Sequence, residues 1–371
     1  MKRKRKKRIR FKTSGIIILS VLLILCILLI INYKAIKIKF LSYQTKYDEK
    51  TISTLLEDDL VNKIKSQKYS QTLDEIINTE YFDSKYIDEY LNISYYNQED
   101  FLKNTEGLLK EGYNSEEINL INKSLSTNSI EILLESDYLK DLTEILKLAY
   151  FKEDNLKRYI KYLDNKDLSI EEIITHVNIG LDNKYYTNVI KLDNQDSIDV
   201  IVNKYHVLSS DYVPSKLENV KYGSGQMRHD AKVAFDKMCD AARKDNIYIS
   251  GGSGYRSYSY QKNLYNNYVA RDGFQEAETY SARPGYSEHQ TGLAMDIING
   301  SGSFISSKDK EYTWLVNNSY KYGFILRYPK GKEKITGYMY EEWHYRFLGE
   351  ELAKKVYESN LTYDEYVARN Y

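Results

Sequence analysis

The sequence predicts an α+β domain with an antiparallel sheet and flanking helices, preceded by an all-helical region and an N-terminal transmembrane helix. Three observations carry this expectation. Residues 15–31 hold no charge and have no polar face. Residues 41–190 show helical signals with polar faces. From Asp199 onward, short strand-like runs alternate with helices but form few βαβ units, which fits a mixed fold on an antiparallel sheet.

The N-terminus comes first. The chain has 371 residues and a formal net charge of zero, from 53 basic and 53 acidic side chains. Nine of the basic residues lie in residues 1–12, leaving 44 against 53 acidic ones in the rest. That negative remainder argues against nucleic acid as the main partner. The run at 15–31 reaches the short end of what spans a bilayer. Residues 1–14 then read as a basic cytoplasmic tail and 15–33 as a transmembrane anchor, which places the chain after about residue 35 outside the cell membrane. A cleaved signal peptide is the rival, but Asn32-Tyr33-Lys34-Ala35-Ile36-Lys37 offers no small-x-small cleavage site. Of the two cysteines, Cys26 lies in the apolar run. Cys239, among Ala234, Phe235, Met238 and Ala242 at helical spacing, reads as a small buried hydrophobe.

Residues 41–190 read as a helical stalk or interaction region. Capping boxes are expected at Thr72 with Glu75, Asn128 with Glu131 and Ser169 with Glu172. Ile170, Ile173, Ile174 and Val177 form a helical apolar stripe, with His176 beside it as a structural residue. A faint duplication relates Tyr81-Phe82 and the following Tyr86–Leu91 run to Tyr150-Phe151 and the following Tyr159–Leu163 run. Paired helices stacking on their neighbours produce such a pattern. The sequence does not identify a partner for this region.

Residues 198–371 carry the mixed fold. Residues 200–203 and 247–250 read as strands, and Gly251-Gly252-Ser253-Gly254 as a tight loop. Residues 227–244 form an amphipathic helix with Ala231, Ala234, Phe235, Met238 and Ala242 on one face. Helices follow at 258–271, at 307–322 closed by Gly323, at 349–359, and from a Thr362–Glu365 cap. Residues 293–297 and 324–328 read as strands.

Two stretches of this region concentrate metal-binding chemistry: Ser287-Glu288-His289-Gln290-Thr291-Gly292-Leu293-Ala294-Met295-Asp296 and Glu341-Glu342-Trp343-His344. Between them they offer two imidazoles, an aspartate and a spare carboxylate. A hydrolytic metal centre needs three such ligands and a nearby base. Gly292 supplies a bend between His289 and Asp296. Glu341 and His344 would face opposite sides of a straight strand, so the chain must turn near Glu342 for both to reach one water. Imidazole and carboxylate suit zinc without excluding other divalent metals. His206 and His229 have no acidic or imidazole partner at ligand spacing and read as structural; Trp343 reads as core.

The pattern Ser287-x-His289-x-x-Gly292-x-Ala294-x-Asp296 followed by Glu341-x-Trp343-His344 resembles the zinc D-alanyl-D-alanine carboxypeptidases of the VanY type, relatives of lysostaphin-like peptidases and hedgehog domains. Ser253-Gly254-Tyr255-Arg256-Ser257 with Gln261, and Ser281-Ala282-Arg283-Pro284-Gly285, extend the resemblance over about residues 198–370. It implies Zn2+ on His289, Asp296 and His344, with Glu341 as general base. It implies Arg256 on the substrate's terminal carboxylate, with Gln261 and Ser287 assisting. A fixed guanidinium suits an exopeptidase that must recognise a free carboxylate. The implied activity is a membrane-anchored carboxypeptidase that removes the terminal D-Ala of peptidoglycan stem pentapeptides. An L,D-carboxypeptidase acting on tetrapeptides and a non-catalytic peptidoglycan-binding module are the alternatives.

Overall fold

The computed structural model describes residues 13–371; the basic run at 1–12 lies outside them. The chain divides into two compact units, Met1–Leu146 and Lys147–Tyr371. In the first unit every regular element among the described residues is helical. Its core holds Leu55, Leu73, Ile76, Leu108, Ile118 and Leu133, all fully buried. The expected boxes at Thr72 and Asn128 are not the caps. Each helix starts earlier: Ser70 accepts from the Leu73 amide and Ser126 from the Ser129 amide. A serine hydroxyl satisfies such an amide without a glutamate three residues on.

Thr13–Ile31 is one helix, and Tyr33–Thr45 follows it. Among the described residues no single helix is long and apolar enough to cross a membrane; Ile17–Ile31 and Tyr33–Thr45 pass that test together, bent by 63°.

The second unit starts earlier than the sequence suggests. Residues 147–190 belong to it rather than to a stalk, because the helix Ile170–Ile179 packs on the C-terminal helix Tyr363–Asn370. Asn178 donates to the Ala368 carbonyl at 3.0 Å and Arg369 to Thr175 at 2.9 Å. Ser169 with Glu172 and Thr362 with Glu365 both form capping boxes. The duplication is real locally. The Tyr90 hydroxyl accepts from the Asp83 amide at 3.3 Å, and the Tyr159 hydroxyl from the Lys152 amide at 3.2 Å. Phe82 and Phe151 each pack against the tyrosine concerned.

The central sheet is antiparallel, as expected. Its strands are β1 (Ser250–Ser253), β2 (Ala294–Ile298), β3 (Phe324–Leu326) and β4 (His344–Phe347), in the spatial order β1-β2-β4-β3. Of the residues read as a loop, Gly251, Gly252 and Ser253 are therefore in the first strand, whereas of the strand expected at 247–250 only Ser250 is. The chain at Tyr222–Ser224 lies beside it, where Gly223 forms a parallel bridge with Gly251 and the Gly251 backbone bonds to Tyr222 and Ser224. A Cβ on Gly251 would sit 2.6 Å from the Ser224 carbonyl oxygen, so only glycine admits that close approach. Residues 200–203 form no strand; the Ile198 and Val200 carbonyls instead accept from Arg346 at 2.9 and 2.7 Å.

Strand alternation sorts the side chains. Met295, Ile297, Tyr345 and Phe347 enter the main apolar core with Phe235, Met238, Cys239 and Ala242 of helix α1 (His229–Lys244). Cys239 is fully buried, and burial pushes its thiol up to about 12. Asp296, His344 and Arg346 take the opposite face of the sheet.

Candidate metal centre

Asp296 of β2 lies directly opposite His344 of β4 in the sheet register. Their side chains therefore project together from one face. The turn expected before His344 is present: its amide donates to the Glu341 carbonyl at 3.3 Å, bringing Glu341 back beside it. His289 sits in the 3₁₀ turn Glu288–Thr291, which Gly292 ends at φ +68° before the chain enters β2. The result brings His289, Asp296 and His344 together, all buried.

The two spacings from the aspartate match those of a tetrahedral metal, and all three donor atoms lie within 4.8 Å of one another. Asp296 Oδ1 lies 3.3 Å from His289 Nε2 and 3.2 Å from His344 Nδ1. Bonds of 2.0–2.1 Å in a tetrahedron put neighbouring ligand atoms about 3.3 Å apart. Asp296 Oδ1 is buried without a hydrogen-bond donor, which leaves it free for a cation. The far nitrogens are occupied. His289 Nδ1 donates to the Gly254 carbonyl at 2.7 Å, and His344 Nε2 to Glu288 at 3.2 Å. Each ring is thereby held with its other nitrogen facing the centre, as metal-binding histidines usually are. A Cβ on Gly254 would meet the Gln226 carbonyl oxygen at 2.3 Å, so a glycine is needed where the backbone braces His289.

Glu288 is the functional residue that the sequence reading missed. It is fully buried and accepts from Arg327 at 2.7 Å, Arg346 at 3.0 Å and His344. Arg327 also pairs with Asp364 at 2.5 Å. Burial works against ionised Glu288, but the two guanidiniums win and hold its carboxyl well below the usual range. No local spacing signals this, because Glu288 stands 39, 58 and 56 residues from Arg327, Arg346 and His344.

The site's negative charge calls for a positive one. Burial disfavours a protonated His344, yet Asp296 and Glu288 overcome it and push the imidazole up to about 9. A divalent cation between the donors answers the same demand. Glu341 lies 3.6 Å from His344, and burial pushes its carboxyl up to about 7, with His344 opposing and Asp296 adding to the rise. A carboxylate with that affinity can take and return a proton near neutral pH.

These groups line one cavity with Arg256, Gln261 and Ser287. Arg256 donates to Asp296 Oδ2 and, at 3.1 Å, to Ser253. It therefore braces the aspartate while facing the cavity. Gln261 donates to the Ala282 carbonyl at 2.8 Å and keeps its own oxygen unpartnered. Ser287 is buried at the wall. Trp343 is not core; it is half-buried beside Phe304 at the cavity rim. His206 and His229 stay outside the site. His229 does have an acidic partner, Glu218 at 2.7 Å, supplied by the paired strand rather than by its own segment.

A family profile described as VanY, D-alanyl-D-alanine carboxypeptidase, matches residues 224–350. The putative carboxypeptidase YodJ of Bacillus subtilis (strain 168) is 40% identical over 205 residues, covering 50% of this chain and 75% of its own length. A D-alanyl-D-alanine carboxypeptidase of Enterococcus faecalis (strain ATCC 700802 / V583) is 38% identical over 186 residues, covering 47% of this chain and 67% of its own length. A solved structure of the LdcB LD-carboxypeptidase is 38% identical, with a TM-score of 0.47, and the match covers 50% of this chain and 92% of that one.

Proposed function

The chain belongs to the VanY family of D-alanyl-D-alanine carboxypeptidases, which are zinc metallopeptidases, and on that premise we propose that it removes the terminal D-Ala from peptidoglycan stem pentapeptides while anchored to the membrane by its first helix. The observation that carries this reading is the buried triad His289, Asp296 and His344 with Glu341 in the same cavity.

Zinc, when bound there, supplies a polarised water and a Lewis acid for the scissile carbonyl. The protein's own groups do the rest. Glu341 accepts the proton released as water attacks, then delivers it to the nitrogen of the departing D-alanine. Arg256 presents a guanidinium to the substrate's free carboxylate, with Ser287 assisting, and the unpartnered oxygen of Gln261 is available to accept from a substrate N–H. The buried surroundings strengthen each of these electrostatic contacts. For anchoring, the support is the exposed apolar surface of Ile17–Ile31 and the basic residues before it.

Mass spectrometry of defined muropeptides treated with the zinc-loaded protein tests the activity. Loss of one D-Ala from pentapeptides is expected. Trimming of tetrapeptides with pentapeptides left intact would overturn the D,D assignment.

A further inference from the structure

Tyr33, Ile36, Phe40 and Tyr43 recur at spacings of three and four along the helix Tyr33–Thr45, so they form one stripe. All four are exposed, Tyr43 at 91%. The other side of this helix is already used: Leu41 is buried, and Lys34 pairs with Glu57 at 3.0 Å. Lys37 and Lys39 flank the apolar stripe on its two sides. Aromatic and aliphatic residues bordered by lysines are what a helix lying in a lipid headgroup layer presents.

The bend supports that orientation. If Ile17–Ile31 stands along the membrane normal, the 63° bend leaves Tyr33–Thr45 only about 27° from the membrane plane. The inner side of the bend is lined by Leu25, Leu28 and Leu29 together with Ala35, Ile36 and Lys39. Ile36 of the stripe therefore faces the side on which the bilayer would lie. We propose that Tyr33–Thr45 is an interfacial helix whose stripe of Tyr33, Ile36, Phe40 and Tyr43 rests in the surface of an anionic lipid bilayer. The inference rests on the anchoring reading above and adds a second, in-plane contact that fixes the angle at which the chain leaves the membrane.

Electron spin resonance on the full chain tests it. In a Cys26→Ser background, nitroxides are placed singly through Ile24→Cys, Phe40→Cys, Tyr43→Cys or Lys50→Cys; Cys239 is buried and takes no label. Each protein is reconstituted into phosphatidylglycerol–phosphatidylcholine vesicles. Collisions with oxygen and with an aqueous nickel chelate are then compared. Labels at 40 and 43 should lose nickel access relative to 50 and sit shallower than the label at 24. Nickel access at 40 and 43 equal to that at 50, with 24 in lipid, overturns the inference and leaves anchoring standing. Nickel access at 24, 40 and 43 alike overturns both. Spin–spin broadening of the single label at 40 or at 43 that vanishes on dilution with unlabelled chain would show a second copy covering the stripe, and it also overturns the lipid reading.

Discussion

The two faces of the central sheet both bury their side chains and are chemically opposite. Met295, Ile297 and Tyr345 on one side, and Arg346 and Arg327 around their shared partner Glu288 on the other, are all fully buried. Burial alone therefore does not mark the site. What marks it is how the polar atoms are satisfied. Glu288, Arg327, Arg346 and Asp364 complete one another, and buried charges persist only when so paired. Asp296 Oδ1, one strand pair away, has no donor. The apolar face holds the sheet together, the ion-paired network holds the candidate ligands still, and the unsatisfied oxygen is where the proposed metal would bind.

Substitutions on the two faces should separate these roles. The largest effect is expected from Asp296→Ala, which removes the central ligand. Bound zinc, measured by elemental analysis, should fall from one equivalent to none, and hydrolysis of stem pentapeptide should disappear. Retained activity would sink the metal-centre reading. Glu341→Gln should keep the zinc and lose about 10²–10⁴-fold in kcat, the usual contribution of a general acid–base. Phe235→Ala, behind the sheet, should reverse the pattern. It should cost about 3–5 kcal/mol of unfolding free energy in denaturant titration and leave kcat per folded molecule unchanged.

The same contrast explains what the sequence could disclose. His289, Asp296, Glu341 and His344 were legible because each pair is set by a short local device: a 3₁₀ turn ended by Gly292, and a turn at 342–343. The helix His229–Lys244 and the caps at Ser169 and Thr362 were legible for the same reason. Glu288 was not, since its role exists only once three distant elements pack together. The same cause hid the domain boundary. Ile170–Ile179 is an ordinary amphipathic helix whose partner, Tyr363–Asn370, comes nearly two hundred residues later. At 200–203 the β-branched residues suggested a strand, but the neighbouring carbonyls are claimed by Arg346.

Glu288→Gln sharpens the comparison at the point where network and ligand meet. It keeps the shape of the side chain but removes the charge that holds His344. Zinc affinity, read by competition with a chromogenic chelator, should weaken by about 10–100-fold. The same variant should unfold more easily, because Arg327 and Arg346 lose a buried counter-charge. Unchanged affinity would mean that the sheet alone orients His344.

Lys204 offers the counter-example of a buried cation outside the completed network. Its ammonium donates to the Glu278 carbonyl at 2.7 Å and lies over the rings of Tyr185 and Tyr338 at 4.6 and 4.7 Å, but the Glu278 carboxylate is 4.0 Å away. Burial lowers its pKa to about 8, with Glu278 opposing and Arg283 adding to the fall. An unfolded lysine titrates near 10.4. Between about 8 and 10.4 the unfolded chain thus binds the extra proton, so this group adds stability as pH rises through that window and imposes its full cost below it. The shift corresponds to at most roughly 3 kcal/mol. Denaturant titrations at pH 7, 8, 9 and 10 should show the wild type gaining on Lys204→Met as pH rises. Parallel profiles would mean that the aromatic rings and the Glu278 carbonyl compensate this cation as fully as Glu288 compensates the two arginines.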